Sequence, residues 1–123
     1  MQFQEHLPQD GWNIEGGSEG SLKINGETHT EAVCLIEGRC LPANAASPQD
    51  LTADSFLDGL SKYAPPEIIL IGTGKTQQFL HPKLNAALAA RGIGIEYMNT
   101  AAACRTLLML QSEGRRVWAW LWP

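Results

Sequence analysis

Val117-Trp118-Ala119-Trp120-Leu121-Trp122, near the carboxyl end of the 123-residue chain, decides the fold. Extended backbone alternates its side chains, so Trp118, Trp120 and Trp122 share one face and Val117, Ala119 and Leu121 the other. Each indole carries roughly 150–250 Å² of mostly apolar surface, so three left bare would make a patch of about 450–750 Å². That is at or beyond the largest patch usual on a monomer. Either this chain's own helices or another chain must cover the rings. A ribbon apolar on both faces belongs inside a sheet rather than at its edge. Burial within the chain is the expectation, with Trp122, just before Pro123, as the end left for a partner.

Upstream of this ribbon, strand and helix patterns alternate. Ala101 to about Ser112 reads as a helix with Ala103, Leu107 and Leu110 on one side, Thr100 as its cap and Gly114 as its stop. Ile93–Met98 reads as a strand. Pro82 sits where a first helical turn tolerates proline; Leu84, Ala87 and Leu88 then face one way until Gly92. Ile68–Ile71 is a β-branched apolar strand. Before it, Thr52 is the expected cap of a helix whose buried stripe is Phe56, Leu57, Leu60 and Tyr63, stopped by Ala64-Pro65-Pro66. Ala32–Ile36 is apolar at every position, hence a strand covered on both faces, and Pro42–Pro48 is a loop. Asn25-Gly26 marks a tight hairpin between Ser21–Ile24 and Glu27–Thr30. Residues 1–20, polar and aperiodic around Gly16-Gly17-Ser18-Glu19-Gly20, read as a loosely held arm. The succession predicts one α/β domain over residues 1–123, with right-handed crossovers wherever neighbouring strands run parallel.

Composition limits function. Apolar residues make up 44% and charged residues 18%, which supports a packed core. A net charge of −4 argues against a general nucleic-acid binder. No run approaches the roughly 18 apolar residues of a membrane helix, and the opening MQFQEHLPQDG lacks the basic start and apolar run of a secretory leader. Cys34, Cys40 and Cys104 are odd in number and have no C-x-x-C spacing; they suggest neither a disulfide framework nor a zinc ribbon, and a cytoplasmic setting follows. No metal and no cofactor is predicted. Residues 1–66 carry ten acidic side chains against Lys23, Arg39 and Lys62, whereas residues 67–123 carry three against six basic ones. Two solvated faces of different sign account for this; self-association, or a partner steered by the positive half, is the sharper reading.

Gly72-Thr73-Gly74-Lys75-Thr76 follows an apolar strand, yet it is no nucleotide-binding loop. Ile69 stands where the motif requires its first glycine, and Gln77–His81 intervene before the next helix. A weaker possibility is an anion or carboxylate site at the strands' carboxyl ends. Gly72, Thr73, Gly74 and Lys75, Asn99-Thr100 at a helix start, and Arg105 could meet in one crevice. The alternative is a tight turn, with Arg105 a surface residue paired to Glu96 or Glu113. Cys104 reads as a small buried hydrophobe, with a thiol activated by Arg105 as the alternative. Arg115 and Arg116 hold a helix end or, with Trp122, face a partner. No nucleophile–base or paired-carboxylate set can be assembled, so no catalytic residue is named.

The strand ending in Gly72-Thr73-Gly74, the opening Thr100-x-Ala102-x-x-Arg105-Thr106, and Glu113-Gly114-Arg115-Arg116-Val117 before the last strand together resemble a small α/β family of unknown function. That family is found in bacteria and archaea, and its eukaryotic relatives include a mitochondrial complex I assembly factor and an adipogenesis-associated protein. The resemblance spans roughly residues 20–122. Relatives continue Arg-Thr-Tyr-Asn where this chain has Arg105-Thr106-Leu107-Leu108, so any ligand contact of that polar pair is lost here. The resemblance implies three layers: a mixed central sheet with the last strand inside and antiparallel to most of its neighbours, helices on one face, and a β-hairpin plus helix on the other. It implies a non-enzymatic binding or assembly module with a protein partner, a respiratory complex being the implied client. The rival expectation is a small-ligand protein or enzyme using the Gly72–Lys75, Asn99-Thr100 and Arg105 crevice.

Overall fold

The computed structural model describes residues 11–16 and 20–123. Most of the arm expected over residues 1–20 lies outside them, but 11–16 are not loose. Trp12 and Ile14 are buried, and β1 (Ile14–Gly16) pairs antiparallel with β2 (Leu22–Ile24). β2 turns through Asn25 and Gly26, at φ 49° and 85°, into β3 (Glu27–His29). Positive φ at both positions is what this turn demands, and the Asn-Gly pair supplies it. The expected hairpin is therefore two strands of a three-stranded sheet with β2 in the middle.

β4 (Val33–Ile36) returns through Glu37-Gly38 as β5 (Arg39–Pro42). A 3-10 turn at Pro48–Asp50 leads to α1 (Asp54–Lys62), then β6 (Ile68–Gly72), α2 (Pro82–Ala89), β7 (Gly94–Met98), α3 (Thr100–Ser112) and β8 (Val117–Leu121). These strands form a five-stranded sheet in the order β5-β4-β8-β6-β7. The tryptophan ribbon is its central member. β8 lies inside the sheet as expected, but it is antiparallel to only one of its two neighbours rather than to most of them: it runs antiparallel to β4, with Cys34 opposite Trp120. Toward β6 it runs parallel, with Ile69 opposite Trp118. The reason is connectivity. The chain steps outward from β6 to β7 over α2, then steps back past β6 over α3. Two crossovers of one hand taken in opposite directions put their helices on opposite faces.

The two faces of β8 fill two cores. Trp118, Trp120 and Trp122, exposed by 1%, 2% and 7%, pack with Phe56, Ile69, Ile71, Leu84 and Leu88 under α1 and α2. Ala119 and Leu121 pack with Leu70, Ala103, Leu107, Leu110, Trp12 and Ile24 under α3 and the three-stranded sheet. The layers are thus helices on one face and a small sheet plus one helix on the other. Phe56 meets Trp120 edge to face at 4.7 Å. A side chain on Gly59 would stand 3.1 Å from the Trp118 ring, so glycine in mid-helix, at about 0.5–1 kcal/mol relative to alanine, lets α1 lie on the indole.

Three local expectations are corrected. Thr52 does not cap α1: its N–H donates to Ser55 Oγ at 3.0 Å, and Ala53 is the first flanking residue. Leu57 faces outward, because the buried stripe runs through Phe56 and Gly59 instead. Thr100 is not the cap of α3; Asn99 Oδ1 accepts from Ala102 N–H at 2.8 Å, which frees the Thr100 hydroxyl for another task.

Candidate functional site

The candidate crevice lies where β6 and β8 end and α3 begins. Gly72 is there for packing: a Cβ would meet Leu121 Cδ2 and Thr100 Oγ1 at 3.0 Å and Ala103 Cβ at 3.1 Å. Into that space comes the Thr100 hydroxyl, which donates to Trp122 O and accepts from Gly74 N–H at 2.7 Å. Thr100 N–H donates to Gly74 O at 2.8 Å, and Trp122 N–H to Gly72 O at 2.9 Å. Thr73 N–H donates to Met98 O at 2.9 Å, while its hydroxyl accepts from Gln78 N–H at 3.1 Å and lies 2.7 Å from Thr76 O. Both threonines are buried.

The arrangement brings Gly72, Thr73, Gly74 and Thr100 together, but it spends their polar groups on one another and on neighbouring strand ends. The N–H groups of Thr73, Gly74 and Thr100 that could have met an anion are already bonded within the chain. Arg105 does not join them. Residues 103, 104, 107 and 110 carry the buried side of α3, and a turn of 100° per residue leaves Arg105 on the opposite, exposed side. Neither Glu96 nor Glu113 pairs with it among the described residues. What the constellation does chemically is tie three strand ends to one helix start.

The residues expected to face a partner are separated. Arg115 and Arg116 precede β8 and Trp122 follows it, roughly 20 Å apart along an extended strand. Trp122 is buried, and its indole N–H donates to Ala46 O at 3.3 Å. Arg115 Nε donates to Glu67 Oε1 at 3.0 Å, and Arg116 N–H donates to Glu67 Oε2 at 3.2 Å. These bonds, the backbone one first, hold the Glu67 carboxyl below its usual pKa. Arg116 Nη2 meets Glu37 Oε2 at 3.3 Å, and the other Glu37 oxygen accepts from Trp118 Nε1 at 3.3 Å. Both arginines thus brace the turn into the central strand. Beside them lies a cleft of about 370 Å³ lined by Trp12, Glu37, Gln111, Arg115, Arg116 and Trp118, among others.

Gln111 escaped the sequence reading. Its side-chain amide accepts from Trp12 N–H at 2.8 Å and donates to Trp12 O at 3.3 Å, imitating a strand partner and fastening the amino-terminal segment to α3. The outward apolar side chains escaped it too: Phe79 is 72% exposed and Met109 53%. The signal for Met109 is Leu107-Leu108-Met109-Leu110, four apolar residues in a row of which a helix can turn only the first and last inward. The thiols are inert by placement. Burial pushes Cys34 and Cys40 to about 12 and Cys104 to about 11, the last despite Arg105 beside it. His29 is buried 4.0 Å from Cys40 Sγ, and burial lowers its pKa. Among the described residues no three His, Cys, Asp or Glu side chains gather as metal ligands, and no helix is long and apolar enough to cross a membrane.

Fold and site together define a class: a small three-layer α/β domain whose polar loop is closed on itself and whose unspent groups lie on its surface. The chain belongs to the family described as protein of unknown function (DUF498/DUF598), whose model matches residues 14–122. It is similar to NADH dehydrogenase [ubiquinone] 1 alpha subcomplex assembly factor 3 of Mus musculus, 39% identical over 121 residues, covering 98% of this chain and 65% of that protein. The Rattus norvegicus assembly factor 3 is 32% identical over 125 residues with the same coverage, so the chain spans about two thirds of the length of these relatives. An uncharacterized protein of Rhodobacter capsulatus is 35% identical over 114 residues, covering 89% of this chain and 83% of that one. Among solved structures, a Bordetella parapertussis protein superposes with a TM-score of 0.81 at 34% identity, covering 91% of this chain and 95% of the other. A Mth938-like domain of Bordetella pertussis gives 0.79 at 28% identity, covering 100% and 92%. These relationships agree with the family resemblance and the layered fold read from the sequence.

Proposed function

We propose that this chain is a non-enzymatic, cytoplasmic protein-binding module that assists assembly of a respiratory NADH dehydrogenase. The observation that carries the reading is the match to assembly factor 3 over nearly the whole chain, so that the part shared with those relatives is the entire folded domain. The hydrogen-bond knot at Gly72–Gly74 and Thr100 supports it from the structural side, since the N–H groups of Thr73, Gly74 and Thr100 already have partners within the chain. The three cysteines offer no ready nucleophile, since burial raises their pKa and keeps them from solvent.

Deleting the gene in its native host tests this. Native gel electrophoresis of solubilised membranes should then show less assembled NADH dehydrogenase, with its subunits in smaller particles, and the intact gene should restore it. Full assembly at normal abundance without the protein would contradict the reading.

A further inference from the structure

The five-stranded sheet ends in two edges of different character. On β5 the inward backbone positions are Arg39, Leu41 and Ala43, the last donating its N–H to Ala32 O at 3.0 Å. Cys40 and Pro42 therefore face out, and Pro42 has no N–H, which blunts that edge. On β7 the inward positions are fixed by Gly94 N–H donating to Glu67 O at 3.0 Å and by Met98 O accepting from Thr73 N–H at 2.9 Å. Alternation then turns the backbone of Ile95 and Tyr97 outward. Tyr97 O is covered by the Gln77 side-chain amide at 3.0 Å. The Ile95 N–H, the Ile95 C=O and the Tyr97 N–H bond to nothing among the described residues.

Side chains add chemistry to this open ladder. Ile95 and Tyr97 lie on the α2 face of the strand, half-buried, and the Phe79 ring stands edge-on to Tyr97 at 6.2 Å while remaining 72% exposed. Glu96, between them, is exposed on the other face. Only another extended main chain matches alternating donors and acceptors at this spacing. A second copy paired antiparallel about Glu96 would set two carboxylates directly opposite each other, which opposes it. A basic residue in that place would be favoured.

Taking the chain as a protein-binding module, as above, we propose that β7 accepts an extended segment of a different protein as a sixth strand. A lysine or arginine of that segment lies opposite Glu96, and the apolar side chains flanking it lie against Ile95, Tyr97 and Phe79. Gln77 acts as a removable cover, since its amide leaves Tyr97 O when the new strand arrives.

The test uses two short synthetic peptides of alternating valine and threonine, one centred on lysine and one on glutamate, with nitrogen-labelled protein observed by NMR. The lysine peptide should shift and protect the Ile95 and Tyr97 amides, and bind about tenfold more tightly than the glutamate peptide. Glu96→Lys, at an exposed position, should reverse that order. N-methylating the lysine peptide beside its central residue should abolish binding. The proposal is overturned if neither amide responds, if both peptides bind alike, or if the edge proves to be filled by a second copy in solution. Ile95→Pro, which removes an N–H that no described residue uses, separates this proposal from the assembly reading. If assembly needs the protein but Ile95→Pro supports it fully, the edge proposal fails and the assembly reading stands.

Discussion

Thr100→Val keeps the shape of a buried side chain and removes one oxygen. In the folded protein that oxygen accepts from Gly74 N–H at 2.7 Å and donates to Trp122 O. Valine leaves both backbone groups without these partners beneath a side chain that is 6% exposed. An orphaned buried donor or acceptor costs about 1–3 kcal/mol, so two cost about 2–6 kcal/mol, with the lower end applying if water reaches the half-buried Gly74. Against a total stability of about 5–15 kcal/mol this is a large fraction. Urea unfolding followed by tryptophan fluorescence should show a lower midpoint at unchanged slope. Thr100→Ser retains the hydroxyl and loses one methyl, for about 1 kcal/mol. A loss under about 0.5 kcal/mol for valine, or an equal loss for valine and serine, would refute the claim that the hydroxyl ties the strand ends together.

Other outcomes follow from the same structure. Burial favours neutral His29 and lowers its folded pKa beneath 6.5, so its contribution is whole above that pH and is lost as pH falls through 6.5 toward the folded value. The urea midpoint should therefore drop between about pH 7.5 and about pH 5.5, and His29→Leu should flatten that drop. All three thiols should resist iodoacetamide in the native protein and react on unfolding; prompt labelling of Cys104 would show that Arg105 activates it after all. Arg105→Ala should move stability by no more than about 0.5 kcal/mol, since the side chain is exposed and unpaired among the described residues; a larger loss would place it in a contact.

What was legible in the sequence was whatever periodicity alone decides. Trp118, Trp120 and Trp122 alternate with small or aliphatic residues, so one face had to be a dense core and the strand had to be interior. Asn25-Gly26 announces its turn because few residue pairs accept left-handed φ twice. The misreadings share a cause: two residues competed for one role, and tertiary contact chose between them. Asn99 and Thr100 are both competent caps; the neighbouring strand ends took the Thr100 hydroxyl, so Asn99 caps α3. Leu57 fits the helical stripe as well as Phe56 does, but the indole of Trp118 needed Gly59 below it, and this rotates α1 so that Leu57 faces out. β1 is too short to show a period. It forms because β2 offers an edge and Gln111 grips Trp12. Gly72, Thr73, Gly74 and Thr100 meet at the strand ends while Arg105 turns away, and whether a backbone donor there is free or bonded is a matter of pairing, which spacing does not carry.

Native-state hydrogen exchange read residue by residue tests the centre of the account, because it orders the strands by how firmly each is held. The amides of Trp118 through Leu121 should be the slowest in the chain, exchanging only when the whole domain unfolds, while those of Ile95 and Tyr97 exchange quickly. If the tryptophan strand exchanges as fast as β7, the rings do not lie at the heart of the sheet and the layered architecture built on them fails.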